Sequence, residues 1–257
     1  MTRYLFPIGY WTVSILFGLI SIPLLLWPNR KPMAVMLRVY ARTMVWLLDT
    51  LCGIDFSFRG KENLPKGPFI VAAKHQSWGD GFLQLSQIPD LGFVTNDGLL
   101  RYPLLGAIFR KLGAIVIDSA GGQVSRSKIT GPELTAARAE NRPFLIYPEG
   151  RLVAIGETER YRRGIYHMYR SYNCPVVPAA TDFGTRYPQR ALFPRPGPAT
   201  LEYLEPIPPG LDKETFMARL EAAIENRSLE LLEDQEAAGT LPEGISLPPR
   251  QELLQAA

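Results

Sequence analysis

The stretch KHQSWGD (Lys74–Asp80) sets a histidine and an aspartate five positions apart. A carboxylate that accepts the Nδ1 proton of an imidazole fixes its tautomer and leaves Nε2 free as a base. Such a base could take the proton of an alcohol as the alcohol attacks an acyl carbonyl. A histidine that merely ends a strand fits the same letters, so the spacing alone is a weak signal. The other histidine, His167, sits between tyrosines with no carboxylate at short spacing and reads as a packed residue. Ser77 lacks the G-x-S-x-G surroundings that a hydrolase nucleophile needs. No group of His, Cys, Asp and Glu has metal-ligand spacing, and SAGGQ (119–123) lacks the lysine of a nucleotide phosphate loop. Neither a metal nor a cofactor is expected.

The elements that must hold His75 and Asp80 follow from hydrophobic periodicity. PFIVAAKH reads as a buried strand that ends at His75, and WGDGFLQLSQI as the helix that starts near Asp80. Strand candidates follow at LGFVTND, GAIVID, PFLIYPEG and CPVVPAATDFG, with ATLEYLEPI as an edge-like strand. Between them YPLLGAIFRKL, TGPELTAARAENR and RYRRGIYHMYRSYN read as helices. DKETFMARLEAAIENRSLELLEDQ closes the series with an acidic first turn that suits the helix dipole. This alternation predicts an α/β fold with a largely parallel or mixed sheet flanked by helices. Chemistry in such folds gathers at the carboxyl ends of the strands, where His75 falls.

The N-terminus departs from a soluble pattern. Tyr4–Asn29 contains no charged residue, long enough to cross a hydrocarbon core that needs about 20 helical residues. A cleaved signal peptide fits poorly, because the run is too long and no small-x-small site follows. Pro7 and Pro23 interrupt it, which leaves a spanning and a kinked or re-entrant helix both open. In Pro32–Thr50, Arg38, Arg42 and Asp49 form a narrow polar stripe on a greasy helix, which suits an interfacial helix with its arginines in the headgroups. A helix covering the core is the other reading. Arg30, Lys31, Arg38 and Arg42 follow the apolar run and only Arg3 precedes it, which places the rest of the chain in the cytoplasm. The expected organisation is a membrane-associated helix pair over 1–52, an α/β unit over 53–236 and a loose tail over 237–257. A net charge of +3 gives no reason to expect nucleic acid, and the two cysteines, Cys52 and Cys174, suggest a reducing compartment.

Four blocks in order resemble the glycerolipid acyltransferases, the lysophosphatidate acyltransferase family. KHQSWGD is similar to its H-x-x-x-x-D block, GAIVIDS (Gly113–Ser119) to its second, YPEGR (Tyr147–Arg151) to its F-P-E-G-T-R block, and VVPAA (Val176–Ala180) to its fourth. RYRRGIYHMYR resembles the helix after the third block, and the N-terminal pair resembles the membrane-dipping helices of bacterial members. The resemblance implies that His75 is the general base and Asp80 its orienting carboxylate. It also implies that Glu149 and Gly150 shape the acceptor pocket, and that acyl carrier protein or coenzyme A donates the acyl chain directly. The acceptor would be a lysolipid hydroxyl, nominally that of 1-acyl-sn-glycerol-3-phosphate, at the cytoplasmic side of the inner membrane.

Two departures bear on the acceptor. Ser119 follows Asp118 where the family often has arginine, and Arg151 and Leu152 stand where it has threonine and arginine. A guanidinium is the natural clamp for phosphate. Either Arg151 takes that part, helped by Arg160, Arg162 or Arg163, or the acceptor lacks a simple terminal phosphate, as a lysolipid with an amino-acid headgroup does. A solvated basic helix start against anionic lipid is the plainer reading of RYRRG. A non-catalytic lipid-binding relative is a further alternative.

Overall fold

The computed structural model of the chain describes residues 2–117, 132–189, 191–245 and 247. Its strands are β1 (Ile54–Arg59), β2 (Ile70–Ala73), β3 (Gly92–Asn96), β4 (Ile115–Ile117), β5 (Phe144–Ile146), β6 (Val176–Thr181) and β7 (Gly197–Tyr203). They form a seven-stranded sheet in the order β1-β7-β6-β2-β5-β3-β4. From β4 across to β6 all neighbours run parallel, whereas β7 is antiparallel to β6 and β1 runs parallel to β7. The sheet is therefore mixed, with a parallel majority, as the alternating pattern predicts.

The helices are α1 (Phe6–Leu25), α2 (Lys31–Cys52), α3 (Asp80–Gln87), α4 (Pro103–Lys111), α5 (Pro132–Ala139), α6 (Gly164–Tyr172) and α7 (Lys213–Ala237). Alternate side chains of β2 serve the two faces of the sheet. Val71 and Ala73 join one core with Met44, Leu47 and Leu48 of α2 and Leu83 of α3. Ile70 and Ala72 join the opposite core with Ile165 and Met168 of α6 and Phe216, Leu220 and Ile224 of α7. Asp212 caps α7, its Oδ1 accepting from Thr215 N at 2.9 Å.

Two sequence expectations need correction. ATLEYLEPI contains β7, which is internal, because β1 pairs with it from Ile54↔Gly197 to Arg59↔Glu202. The sequence reading did not foresee β1 itself. Arg38 does not reach outward with the stripe. Its guanidinium turns to α3 and donates to the carbonyls of Ser86 and Gln87, both at 3.3 Å, where the unsatisfied end of a helix attracts a cation. Arg42 and Asp49 are exposed. Asp118 and Ser119 lie outside the described residues, as do residues 246 and 248–257 of the tail.

The N-terminal run forms one helix. Pro7 falls in the first turn of α1, where its missing N–H is no loss, and Pro23 falls in the last turn. Its 20 residues span roughly 30 Å. The helical run Thr2–Leu25 is long and apolar enough to cross a membrane, and little of it is buried. One side docks on α2: Phe17 stacks on Tyr40 at 4.5 Å, and Gly9 leaves room for Leu47. α2 buries Met33, Leu37, Met44 and Leu48 inward while Val35, Val39 and Trp46 stay exposed, so it is apolar on both sides. The core-covering reading describes the inner face of this helix.

Because Leu48 is fully buried in the sheet-facing core, Leu48→Ala should lower stability by ~2–5 kcal/mol. A clear fall in the thermal midpoint in detergent checks it. An unchanged midpoint would mean that α2 is only an anchor beside the fold.

Candidate active site

His75 lies two residues beyond β2, and Asp80 is the first residue of α3. The loop between them folds back on itself around one oxygen. Asp80 Oδ2 accepts from Gln76 N and Ser77 N, each at 2.8 Å, and lies 3.1 Å from His75 Nδ1. Asp80 is buried, so these contacts replace the water it has lost. Gly79 is needed for this turn, since a Cβ there would lie 2.7 Å from the Phe183 ring. With Nδ1–H donated to the carboxylate, the lone pair on His75 Nε2 points away from Asp80. The His75 side chain is 22% exposed, so the ring is reachable while its partner is not.

The sequence reading missed a third wall. The Tyr147 ring stacks on the His75 ring with centroids 3.9 Å apart and planes 14° from parallel. Burial pushes the Tyr147 hydroxyl well above its ordinary range, and the Asp80 carboxylate adds to the shift, so Tyr147 stays neutral beside the imidazole. The signal was the aromatic before the third block's proline, and its register against His75 is set by β2 pairing with β5.

Glu149 is wholly buried, and its Oε2 accepts the backbone N–H of His75 at 3.2 Å. Its Oε1 lies 3.1 Å from the ammonium of Lys74, which is itself only 1% exposed. Lys74 also reaches both oxygens of Glu225 on α7, at 2.8 and 2.9 Å. Neither Lys74 nor Glu225 was anticipated. The lysine ending an apolar strand was the available signal, because a buried ammonium needs carboxylate partners. Burial pushes the Glu149 carboxyl up to about 8, with Lys74 opposing and Glu225 and Asp80 reinforcing the rise. For Lys74, burial works to lower the ammonium, but Glu149 and Glu225 outweigh it and hold it above its ordinary value.

The remaining sequence candidates divide. Gly150 adopts φ +72°, and a Cβ there would meet the Arg162 side chain at 2.7 Å. Arg162 Nε donates to the Glu149 carbonyl at 3.3 Å, which places this guanidinium at the tip of the β5 loop. Arg151 turns aside and pairs with Glu159, largely in solvent. Arg163 is exposed at the start of α6, as Arg160 is in the segment before it. His167 is half-buried beside Tyr166 on α6.

Fold and site together define an α/β protein with a histidine–aspartate pair at the carboxyl end of a central strand. A family model described as Acyltransferase matches residues 55–182, which takes in both the pair and the Glu149–Gly150 loop. The chain belongs to that family, the acyltransferases that include the 1-acyl-sn-glycerol-3-phosphate acyltransferases. It is 27% identical over 172 residues to the 1-acyl-sn-glycerol-3-phosphate acyltransferase of Pseudomonas aeruginosa, covering 66% of each chain. It is 27% identical over 216 residues to the lyso-ornithine lipid O-acyltransferase of the same organism, covering 76% of this chain and 82% of that one. The match to the enzyme of Saccharomyces cerevisiae, at 26% identity, spans 57% of that protein's length. Among solved structures, the 1-acyl-sn-glycerophosphate acyltransferase of Thermotoga maritima superposes with a TM-score of 0.70 at 19% identity, covering 90% of this chain and 98% of that one. That likeness is one of fold.

The Glu149 carboxyl is raised in the fold, so its stabilising protonated form is fully present below its ordinary value of 4.5 and is lost as pH rises through about 8. Glu149→Gln should flatten the fall of the thermal midpoint across that window. It should also slow turnover, because an amide offers one acceptor to two donors. A wild-type midpoint that does not fall between those limits would contradict the sign.

Proposed function

We propose that the protein moves a fatty acyl chain from a thioester of acyl carrier protein or coenzyme A to the free hydroxyl of a lysolipid. The nominal acceptor is 1-acyl-sn-glycerol-3-phosphate and the product phosphatidate. The observation that carries this reading is the partly exposed His75 ring, held by Asp80 Oδ2 at 3.1 Å on one side and stacked on Tyr147 on its flat side. His75 Nε2 takes the hydroxyl proton as the lipid oxygen attacks the thioester carbonyl. The new C–O bond forms, the C–S bond breaks, and the imidazolium returns the proton to the departing thiolate. No acyl-enzyme is needed. Glu149 and Gly150 shape the acceptor end of the pocket, with Arg162 the guanidinium at its mouth.

We place the reaction at a membrane, on the cytoplasmic side of the inner membrane. All four tryptophans, Trp11, Trp27, Trp46 and Trp78, are more than half exposed. A soluble surface rarely spends its largest amphipathic side chains this way, whereas the headgroup boundary favours them. Three sit on or beside the α1–α2 pair, and Trp78 sits in the His75 loop. Residues 1–52 then serve as the membrane-associated pair, 53–236 as the transferase unit, and 237–257 as its tail.

A second reading concerns the headgroup. Leu152 occupies the place where an arginine is expected, and Arg151 is engaged by Glu159. An acceptor with an amino-acid headgroup, of the lyso-ornithine lipid type, needs less guanidinium and suits this site. The same mechanism would acylate it.

His75→Ala should cut transfer by ~100- to 10,000-fold, the share of a positioned general base, while vesicle binding persists. Retained turnover removes the base from the mechanism. Lysophosphatidate and lyso-ornithine lipid offered with one thioester donor separate the two acceptors. If phosphate is the headgroup, Arg162→Ala raises KM for lysophosphatidate alone; equal effects on both acceptors would take Arg162 out of headgroup recognition.

A further inference from the structure

The charges behind the active site form a chain that reaches from α7 to the backbone of the base. Glu225 Oε1 accepts from the Tyr161 hydroxyl at 2.7 Å, and both Glu225 oxygens hold Lys74 Nζ. Lys74 Nζ also donates to the Glu157 carbonyl at 3.3 Å and lies 3.1 Å from Glu149 Oε1. Glu149 Oε2 then accepts the His75 N–H. Four separate pieces of chain thus meet on one ammonium: the end of β2, the loop after β5, the segment at 157–161 and the middle of α7.

Glu149 lies between a cation and a backbone donor, both of which favour its ionised form against the burial that opposes it. Its Oε2 accepts the His75 amide, and its Oε1 faces the Lys74 ammonium at 3.1 Å as an ion pair. A proton on Oε2 would displace the amide, and one on Oε1 would set an O–H against the ammonium. The carboxylate form therefore fits this site, and it survives burial only while Lys74 is beside it. We propose that Lys74 and Glu225 are positioning residues of the acyl transfer: they hold the Glu149 carboxylate so that its Oε2 fixes the His75 backbone between Asp80 and Tyr147. The inference rests on the reading of His75 as the base, and it assigns a part in the reaction to a helix that does not touch the ring.

The groups that face Glu149 set the direction of every test. Lys74 and His75 come from the end of β2, Asp80 from α3, Tyr147 from the end of β5, Tyr161 and Arg162 from the segment before α6, and Glu225 from α7, with Glu221 beyond it beside Glu225 and Lys74. Burial raises the Glu149 carboxyl, Lys74 lowers it, and Glu225 and Asp80 raise it again. A cavity of about 230 Å³ lies against Lys74, Glu225 and Glu221 between residues 156–158 and α7. Removing the charge of Glu225 and removing that of Lys74 must then act in opposite senses.

The experiment measures kcat and KM against pH for full-length wild type, Glu225→Gln, Lys74→Met and Lys74→Arg, with lysophosphatidate and one thioester donor in vesicles. In wild type, kcat rises with pH as Glu149 ionises near 8. Glu225→Gln keeps the shape and should shift that rise ~1 unit lower, whereas Lys74→Met should shift it ~1 unit or more higher. Both should act on kcat with little change in KM, and Lys74→Arg should return the profile toward wild type. Should Lys74→Met fail to fold, Glu225→Gln and Lys74→Arg carry the test. Profiles that superpose on wild type, or that all move the same way in step with lost thermal stability, overturn the proposal while transfer itself stands. A wild-type protein with no transfer activity overturns the acyltransferase reading, and this proposal with it.

Discussion

One carboxylate oxygen organises the site. Asp80 Oδ2 gathers two backbone amides and the His75 ring within 3.1 Å, closing the loop between β2 and α3 and aiming the imidazole in the same stroke. A buried carboxylate that lost these donors would bear an unmet desolvation cost of several kcal/mol. The loop therefore has little freedom to open while Asp80 remains inside. The ring is set by the same contacts that hold the turn together, and Tyr147 removes its remaining rotational choice by stacking on its face. Ring geometry and loop stability are one and the same feature here.

The path of the chain just past β2 decides what each residue meets. Alternation along the strand turns Ala73 to the core beneath α2 and α3 and Ala72 to the core beneath α6 and α7. His75 continues the first direction and finds Asp80 on α3, while Lys74 continues the second and finds Glu225 on α7. Two neighbouring residues thus tie the same strand end to helices on opposite faces. Glu149 sits between them and joins the two sides. Its carboxyl, raised by burial, weakens the fold as it ionises, while the ionised form is the one both of its donors fit. A local cost in stability at the site of chemistry is a common arrangement in enzymes.

Local features of this arrangement were legible in the sequence. The five-residue spacing of His75 and Asp80 closes over a single turn, and the helix and strand order follows from short-range periodicity. What escaped was non-local. β1 reads as half-exposed and ordinary until β7, from Gly197 onward, pairs with it, and that pairing turns an apparent edge into an interior strand. Lys74 looks anomalous on its strand because its partner Glu225 lies 151 residues away. Arg38 belongs to the expected polar stripe by spacing alone, yet α3 presents carbonyls to it that only the packed structure brings near. Arg151 was a candidate by position in the block, and Glu159 decides otherwise.

The same division of faces explains why an apolar helix pair is built into this fold at all. α2 contributes Met44, Leu47 and Leu48 to the core that holds up the His75 side of the sheet, while its outer side shows Val35, Val39 and Trp46. α1 lies along α2 with Ile8, Trp11, Ile15 and Leu19 exposed. A helix free to tilt in lipid would let the site drift in depth relative to the interface. Fixing α2 into the core makes the height of His75 above the exposed apolar surface a property of the packed protein, independent of lipid thickness. Under the proposed function, an acceptor whose hydroxyl lies at headgroup level would meet His75 at a fixed level, and only the thioester would have to arrive from the aqueous side.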